Sequence, residues 1–323
     1  MFADFPRPSV VVSKCLGFKK CRYNGQTIPD RFVERLGDYV DYITVCPEEE
    51  IDLGTPRDPV RIGRRGDEIR MVQPASGADY TDKMLNFVST FLDGVESADG
   101  FLMKNRSPSC GINDVKIYQN LDKPTGAQRG KGLFGGSIAD YFPEAAIEDE
   151  GRLRNFSIRE HFLTKLFANT RFRKISNGVR MKDLVDFHSS HKYLFMAYNE
   201  TAMRECGKIV ANYEHFPAEE VFRLYREKMR DIFVERAKYT SIINTLYHIF
   251  GGVSDNLSGE EKKFFLDSAE QYRDERIPLS AILQLLKSYV IRFDNEYLKR
   301  QVFLNPYPEK LVEISDSGKG RSY

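Results

Sequence analysis

Apolar and polar positions follow two different rhythms along this chain of 323 residues. Up to about residue 145, short apolar runs stop abruptly at Gly, Pro or Cys. Val10-Val11-Val12 stops at Ser13-Lys14-Cys15, Tyr39 to Val45 stops at Cys46-Pro47, and Asp99 to Lys104 runs into Asn105 to Gly111. Runs of this length between breakers predict buried strands of a parallel sheet. Helical patterns lie between them. Asp79 to Val95 carries Met84, Leu85, Phe87, Val88, Phe91, Leu92 and Val95 at spacings of three and four, which predicts an amphipathic helix. Ile138 to Phe142 reads as the end of another, closed by Pro143. The alternation predicts an open, mostly parallel, Rossmann-like α/β domain. Gly126 to Gly136 reads as an exposed loop and matches neither the Walker nor the Rossmann glycine spacing.

From about residue 156 the rhythm becomes that of long helices. Ser157 and Glu160 have the spacing of a capping box, and the helix they open reads to Phe172. Met181 to Cys206, Ala218 to Phe250 and Leu279 to Phe293 are helical in period, the first with a break near Asn199. Ser254 to Gly259 reads as a turn, and the polar tail from Ser315 to Tyr323 reads as disordered. The expected organisation is an α/β domain over residues 1–150, a helical linker over 151–178 and an all-α domain over 179–323.

Composition narrows the partners. Lys plus Arg number 48 against 47 Asp plus Glu, a net charge of +1, so any nucleic-acid surface must be a local patch. No apolar run is long enough to span a bilayer. The start has no basic head followed by an apolar stretch, so the cytoplasm is the expected compartment. Five cysteines are too few and too scattered for a disulfide framework. Cys15 and Cys46 directly follow strand-like runs, and Cys110 follows a third after a short loop. In an open α/β sheet, ligands gather at the carboxyl ends of the strands, where three thiolates from separate strands could converge on zinc or an iron–sulfur cluster. Cys21 is a possible fourth ligand. The plain alternative is that all are buried small apolar side chains.

Several short motifs occur in a fixed order: Ser13-Lys14-Cys15-Leu16-Gly17, Cys21-Arg22-Tyr23-Asn24-Gly25, Cys46-Pro47-Glu48, Pro56-Arg57-x-Pro59 and Lys104-x-x-Ser107-Pro108-Ser109-Cys110-Gly111. Together they resemble the thiouracil desulfidase (TudS) family over about residues 8 to 145. Leu184 to Leu194, with His188, His191 and Lys192, resembles the YbgA-type helical domain. The combination resembles the fused RudS-type desulfidases of 4-thiouridine in tRNA. The resemblance implies a 4Fe-4S cluster on Cys15, Cys46 and Cys110, with one open iron for the substrate sulfur. It implies that Glu48 and Ser107 assist catalysis. The expected substrate is thus a thiolated uracil, free or within tRNA, and oligomeric state is left open.

The residues permit this chemistry. Glu48, two positions from a cysteine, could move protons, although it could equally be a solvated charge in an acidic turn. Ser107 could orient base or water, or serve only as a turn residue before Pro108. Arg22, Arg57 and Lys104 are candidate substrate contacts or ordinary ion pairs. In the helical half, His188, His191 and Lys192 share one helix face, and Arg223, Arg226 and Arg230 interleave with aromatic residues. That pattern suits phosphate and base contacts, and suits an ordinary amphipathic helix as well. A desulfidase with an RNA-holding helical half, one acting on free thiouracil, and a non-enzymatic iron–sulfur sensor are the readings the sequence supports.

Overall fold

The computed structural model describes residues 5–121, 126–212 and 214–312. The tail expected to be disordered lies outside these residues. The chain divides into two compact units, one built on residues 7–170 and the other on residues 171–309.

The first unit opens with β1 (Ser9–Ser13), α1 (Arg31–Leu36), β2 (Asp41–Val45) and α2 (Pro47–Glu50). It continues through β3 (Arg61–Arg65), β4 (Glu68–Gln73), β5 (Ala78–Asp79) and α3 (Thr81–Gly94). Next come β6 (Gly100–Met103), β7 (Val115–Tyr118), β8 (Ala127–Gly130), α4 (Leu133–Tyr141) and β9 (Ala146–Asp149). Strands β2-β1-β6-β9 form a wholly parallel sheet. Val10, Val11 and Val12 of its inner strand are fully buried, which is why β1 reads as an unbroken apolar run. The expected α/β fold is present.

A second sheet, ordered β5-β4-β3-β7-β8, is antiparallel except where β3 meets β7. It was not anticipated, because its strands are too polar to stand out. Ile62, Met71 and Val115 on its inner side join Met84, Val88 and Leu92 of α3 and Phe101 and Phe134 in one core. Each such side chain contributes about 1.5–3 kcal/mol by leaving water.

Helix α5 (Phe156–Ser176) begins one residue before the expected cap. Asn155 Oδ1, and not Ser157, accepts from the Ile158 amide at 3.2 Å. Ser157 donates to the Asn155 side chain at 3.0 Å. The unit boundary falls inside this helix, between Thr170 and Arg171, so most of the segment read as a linker belongs to the α/β unit.

The second unit is helical. α6 (Met181–Ala211) leaves helical geometry at Asn199, with φ −154° and ψ 97°. Asn199 Oδ1 caps the second half by accepting from the Ala202 amide at 3.1 Å, so the expected break is real and self-capped. The region expected as one helix from Ala218 to Phe250 is two, α7 (Ala218–Arg230) and α8 (Tyr239–Ser254). α9 (Gly259–Arg273) was not anticipated, yet Ser258 and Glu261 form a full capping box at its start. α10 (Leu279–Arg292) and α11 (Glu296–Lys299) complete the helices.

Candidate active site

Three neighbouring strands deliver three thiols to one edge of the parallel sheet. Cys15 lies two residues past β1, Cys46 directly follows β2 and opens α2, and Cys110 ends the loop after β6. Cys21 enters from the turn that follows Cys15. The Cys46 thiol donates to the Cys21 carbonyl at 3.8 Å. Cys21 and Cys46 also lie with a Glu49 carboxylate oxygen in a group whose ligand atoms are within 4.8 Å of one another. Cys21, Cys46 and Cys110 are buried, Cys15 is half-buried, and no disulfide joins any of them. The contact with Cys15 raises the Cys21 thiol to about 11. The contact with Cys21 and burial push Cys46 well above the ordinary thiol range. Burial does the same to Cys110. Without a cation these are neutral thiols, and a soft metal would turn them into thiolates. The donor set fits zinc or an iron–sulfur cluster by softness. Cys206 is a separate buried thiol of the helical unit, raised to about 12 by burial.

The Cys110 loop is held by backbone contacts. The Ser107 hydroxyl accepts from the amides of Ser109 at 3.3 Å and Cys110 at 3.1 Å. From the other side, the first amides of α4 donate to loop carbonyls: Leu133 to Pro108 at 3.2 Å, and Phe134 and Gly135 to Ser109 at 3.0 and 2.9 Å. A helix N-terminus has unpaired amides to offer, and here the cysteine loop takes them. The approach requires glycine. A Cβ on Gly132 would lie 2.5 Å from the Ser109 carbonyl oxygen, and one on Gly135 would lie 2.3 Å from that of Cys110. The segment from Gly126 to Gly136 is therefore not a loop. It forms the largely exposed strand β8 and the start of α4, where Phe134 is fully buried. Its glycines hid the helix, because glycine lowers helix propensity wherever close packing demands it.

Glu48 is the carboxylate turned into this site. Arg57 donates to its Oε2 through Nε at 2.9 Å and Nη2 at 2.5 Å, and the fully buried Ser109 hydroxyl donates to its Oε1. Its charge is close enough to raise the thiols of both Cys46 and Cys110. Neighbouring Glu49 and Glu50 pair with lysines, Glu49 with Lys19 at 3.0 Å and Glu50 with Lys14 at 3.3 Å. Ser109 was missed from the sequence, where nothing separates it from Ser107. Ser107 itself lies 3.3 Å from Ser109, oxygen to oxygen, so it reaches Glu48 only through that residue.

The expected substrate contacts fare unevenly. Arg57 spends its remaining donors on the carbonyls of Cys21 and Gly54, at 3.0 and 2.7 Å. Lys104 is bound to Glu150 at 2.5 Å and to Asn105. Both hold the site together and are not free to grip a phosphate. Arg22 packs its guanidinium 5.6 Å from the Tyr23 ring centre and pairs with no carboxylate among the described residues, so it remains available.

In the helical unit, His191 is fully buried, stacked 3.9 Å from Phe187, with Nδ1 2.8 Å from the Phe187 carbonyl. His188 lies 3.0 Å from the Tyr225 hydroxyl, and burial, helped by Lys192, lowers it to about 4. These histidines face the helical core, which corrects the expectation of an RNA-facing pair; of that trio only Lys192 is exposed. Arg223 is matched by Glu220 and Glu227 at 2.6 and 2.7 Å. Arg226 lies over Phe172, 5.9 Å from the ring centre, and the half-buried Arg230 is engaged within the protein. Of the three arginines, Arg223 is thus ion-paired and Arg226 packs on an aromatic ring. No helix among the described residues is long and apolar enough to cross a membrane.

Comparison with known proteins agrees with this division. Residues 10–150 match the family model described as 2-thiouracil desulfurase, and residues 192–308 match a protein family of unknown function, DUF1722. The uncharacterized protein YbbK of Bacillus subtilis is 32% identical over 109 residues, covering 32% of this chain and 72% of the relative. The uncharacterized protein YbgA of Escherichia coli is 23% identical over 158 residues, covering 48% of this chain and 93% of the relative. A solved structure described as the [4Fe-4S]-dependent thiouracil desulfidase TudS is 27% identical, covering 46% of this chain and 93% of that one with a TM-score of 0.36. Through its cysteine-bearing α/β unit the chain belongs to the 2-thiouracil desulfurase family, and a DUF1722 domain of the YbgA type follows in the same polypeptide.

Proposed function

We propose that the α/β unit is an iron–sulfur-dependent desulfidase of thiolated uracil, and that in its finest form the substrate is 4-thiouridine of tRNA. The observation that carries this reading is the Glu48 carboxylate, fixed by Arg57 and Ser109 beside buried thiols at the carboxyl ends of parallel strands. Cys15, Cys46 and Cys110 would hold a 4Fe-4S cluster and leave one iron open. When bound, such a cluster supplies a soft Lewis acid suited to a sulfur leaving group.

The overall change is hydrolytic. The thiocarbonyl and one water give a carbonyl and hydrogen sulfide, with no oxidant or reductant. Water must lose both protons, one as it attacks the ring carbon and one as the carbonyl forms, and the departing sulfur must gain both to leave as hydrogen sulfide. Glu48 would carry these protons between oxygen and sulfur. Arg57 and Ser109 together donate three hydrogen bonds to it, and a carboxylate, with about four acceptor sites, has one left to offer. Arg57 orients it, and Ser109 links it to Ser107, whose own acceptor sites keep the Cys110 turn closed.

The test is anaerobic incubation of the iron-loaded protein with 2-thiouracil, 4-thiouracil and bulk thiolated tRNA. Sulfide release and nucleoside composition are then measured. Sulfide with conversion of 4-thiouridine to uridine is expected. A cluster-loaded protein that releases no sulfide from any of the three overturns the reading.

A further inference from the structure

Four thiols meet at the sheet edge, and the chemistry above uses three. Cys21 is the fourth. Its sulfur, the Cys46 sulfur and a Glu49 carboxylate oxygen all lie within 4.8 Å of one another, and neither Cys15 nor Cys110 belongs to this group. A single zinc ion, with bonds of about 2.3 Å to sulfur and about 2.1 Å to oxygen, sets tetrahedral ligands about 3.6–3.8 Å apart. The three atoms thus need to close in by roughly 1 Å to hold one ion. Thiolates on separate irons of a cluster stand farther apart, since each binds its own metal.

Backbone contacts hold the trio in place. Cys46 opens α2 and Glu49 follows three residues on, so the two share a helix face. The Glu49 amide donates to the Cys46 carbonyl at 3.0 Å. Arg57 Nη1 and the Cys46 thiol donate to the Cys21 carbonyl at 3.0 and 3.8 Å. Cys21 and Cys46 are both buried, which keeps water from competing for the ion. Glu49 is held by Lys19 at 3.0 Å, Lys14 at 3.8 Å and the Thr55 hydroxyl at 3.4 Å. The Lys19 side chain is 58% exposed, so its ammonium can move into water and leave an acceptor site on Glu49 to a metal. Glu48 lacks this freedom, because Arg57 is itself buried.

We propose that the iron-free protein binds one zinc ion on Cys21, Cys46 and Glu49, and that this ion and the cluster exclude each other because both need Cys46. Binding sends the two thiol protons to solvent. Two sulfurs and one oxygen leave a fourth position for water. The zinc site stands without the desulfidase reading, and the exclusion rests on Cys46 as a cluster ligand.

The test is titration of the full-length, reduced, iron-free protein with zinc against a chromophoric chelator. A parallel titration uses cobalt(II), whose tetrahedral thiolate sites are coloured. One ion per chain is expected, with a Kd of about 1 μM or tighter. Cys21→Ala and Glu49→Gln should each weaken zinc binding by more than about tenfold. Cys110→Ala is the contrast and should change it less than about threefold, although it removes a cluster ligand. Circular dichroism confirms that each variant is folded. Cluster-loaded protein, dialysed anaerobically against the same zinc, should keep its iron and take up no zinc. Binding weaker than about 1 μM, or a loss in Cys110→Ala as large as in Cys21→Ala, overturns the site. Equal zinc uptake by iron-free and cluster-loaded protein overturns the exclusion. If zinc binds as expected while the cluster-loaded protein releases no sulfide, the metal site stands and the desulfidase reading falls.

Discussion

Replacing Arg57 by Met should destabilise the α/β unit more than any other single change near the site that spares the core. Arg57 and Glu48 side chains are 4% and 12% exposed, so neither charge has water to fall back on. Removing the guanidinium leaves the carboxylate with only the Ser109 hydroxyl, and leaves the carbonyls of Cys21 and Gly54 without this donor. Removing one partner of a buried ion pair costs about 3–5 kcal/mol, and the orphaned carbonyls favour the upper end. Glu48→Gln in the same chain removes the stranded charge, and the pair should show a coupling of about 1–3 kcal/mol. Urea unfolding of the metal-free, reduced protein, followed by tyrosine fluorescence, gives all four corners of the cycle. Metal-free protein keeps cluster loss out of the measurement. A loss below about 1 kcal/mol in Arg57→Met, or strictly additive single variants, would show that Arg57 does not hold Glu48.

The remaining predictions concern ligation, proton transfer, packing and pH. Cys15→Ala, Cys46→Ala and Cys110→Ala should each lose most of the iron measured after anaerobic reconstitution. Cys21→Ala should keep most of it, and equal loss in all four would rule out a ligand set of three. Glu48→Gln should keep cluster absorbance and lose about a hundredfold or more in sulfide release rate; near-wild-type turnover would move the role elsewhere. Gly135→Ala forces a methyl onto the Cys110 carbonyl oxygen, so iron retention should fall and stability should drop by about 1–3 kcal/mol, as read by iron content and urea midpoint. The helical unit should weaken in mild acid. Burial holds His188 at about 4, so below about pH 6.5 the unfolded chain takes up a proton that the folded chain refuses. Stability then falls by about 1.4 kcal/mol per pH unit until about pH 4, and His188→Gln should remove that share from a pH series of unfolding midpoints.

What the sequence revealed depended on whether a feature was local. Val10 to Val12 running into Cys15, and Tyr39 to Val45 running into Cys46, announce both the strands and the edge where the thiols meet. Asn199 betrays the kink in α6, because asparagine can cap the helix it interrupts. The second sheet stayed hidden because β3 is mostly arginine and β4 opens on Glu68 and carries Arg70, and their inward residues are too few to set a clear period. His188 and His191 were correctly placed on one helix face. Which way that face turned was decided by Leu184, Phe187, Leu194 and Phe195 around it, all buried. Arg57 and Ser109 were quoted within motifs, but their joint hold on Glu48 is a contact across 61 residues from Ser109 and 9 from Arg57, and no spacing rule anticipates it.

The hydrogen bond from the Gly132 amide to the Gly111 carbonyl, at 2.7 Å, closes off everything between those residues. The β7–β8 hairpin is a detour that leaves and re-enters the site at two points clamped backbone to backbone. Its length, charge and aromatic content can drift through mutation while the thiols and Glu48 stay in register. The exposed part of the hairpin can therefore change in length and charge between relatives without moving the Cys110 loop, and an exchange of hairpins should leave the thiol geometry intact.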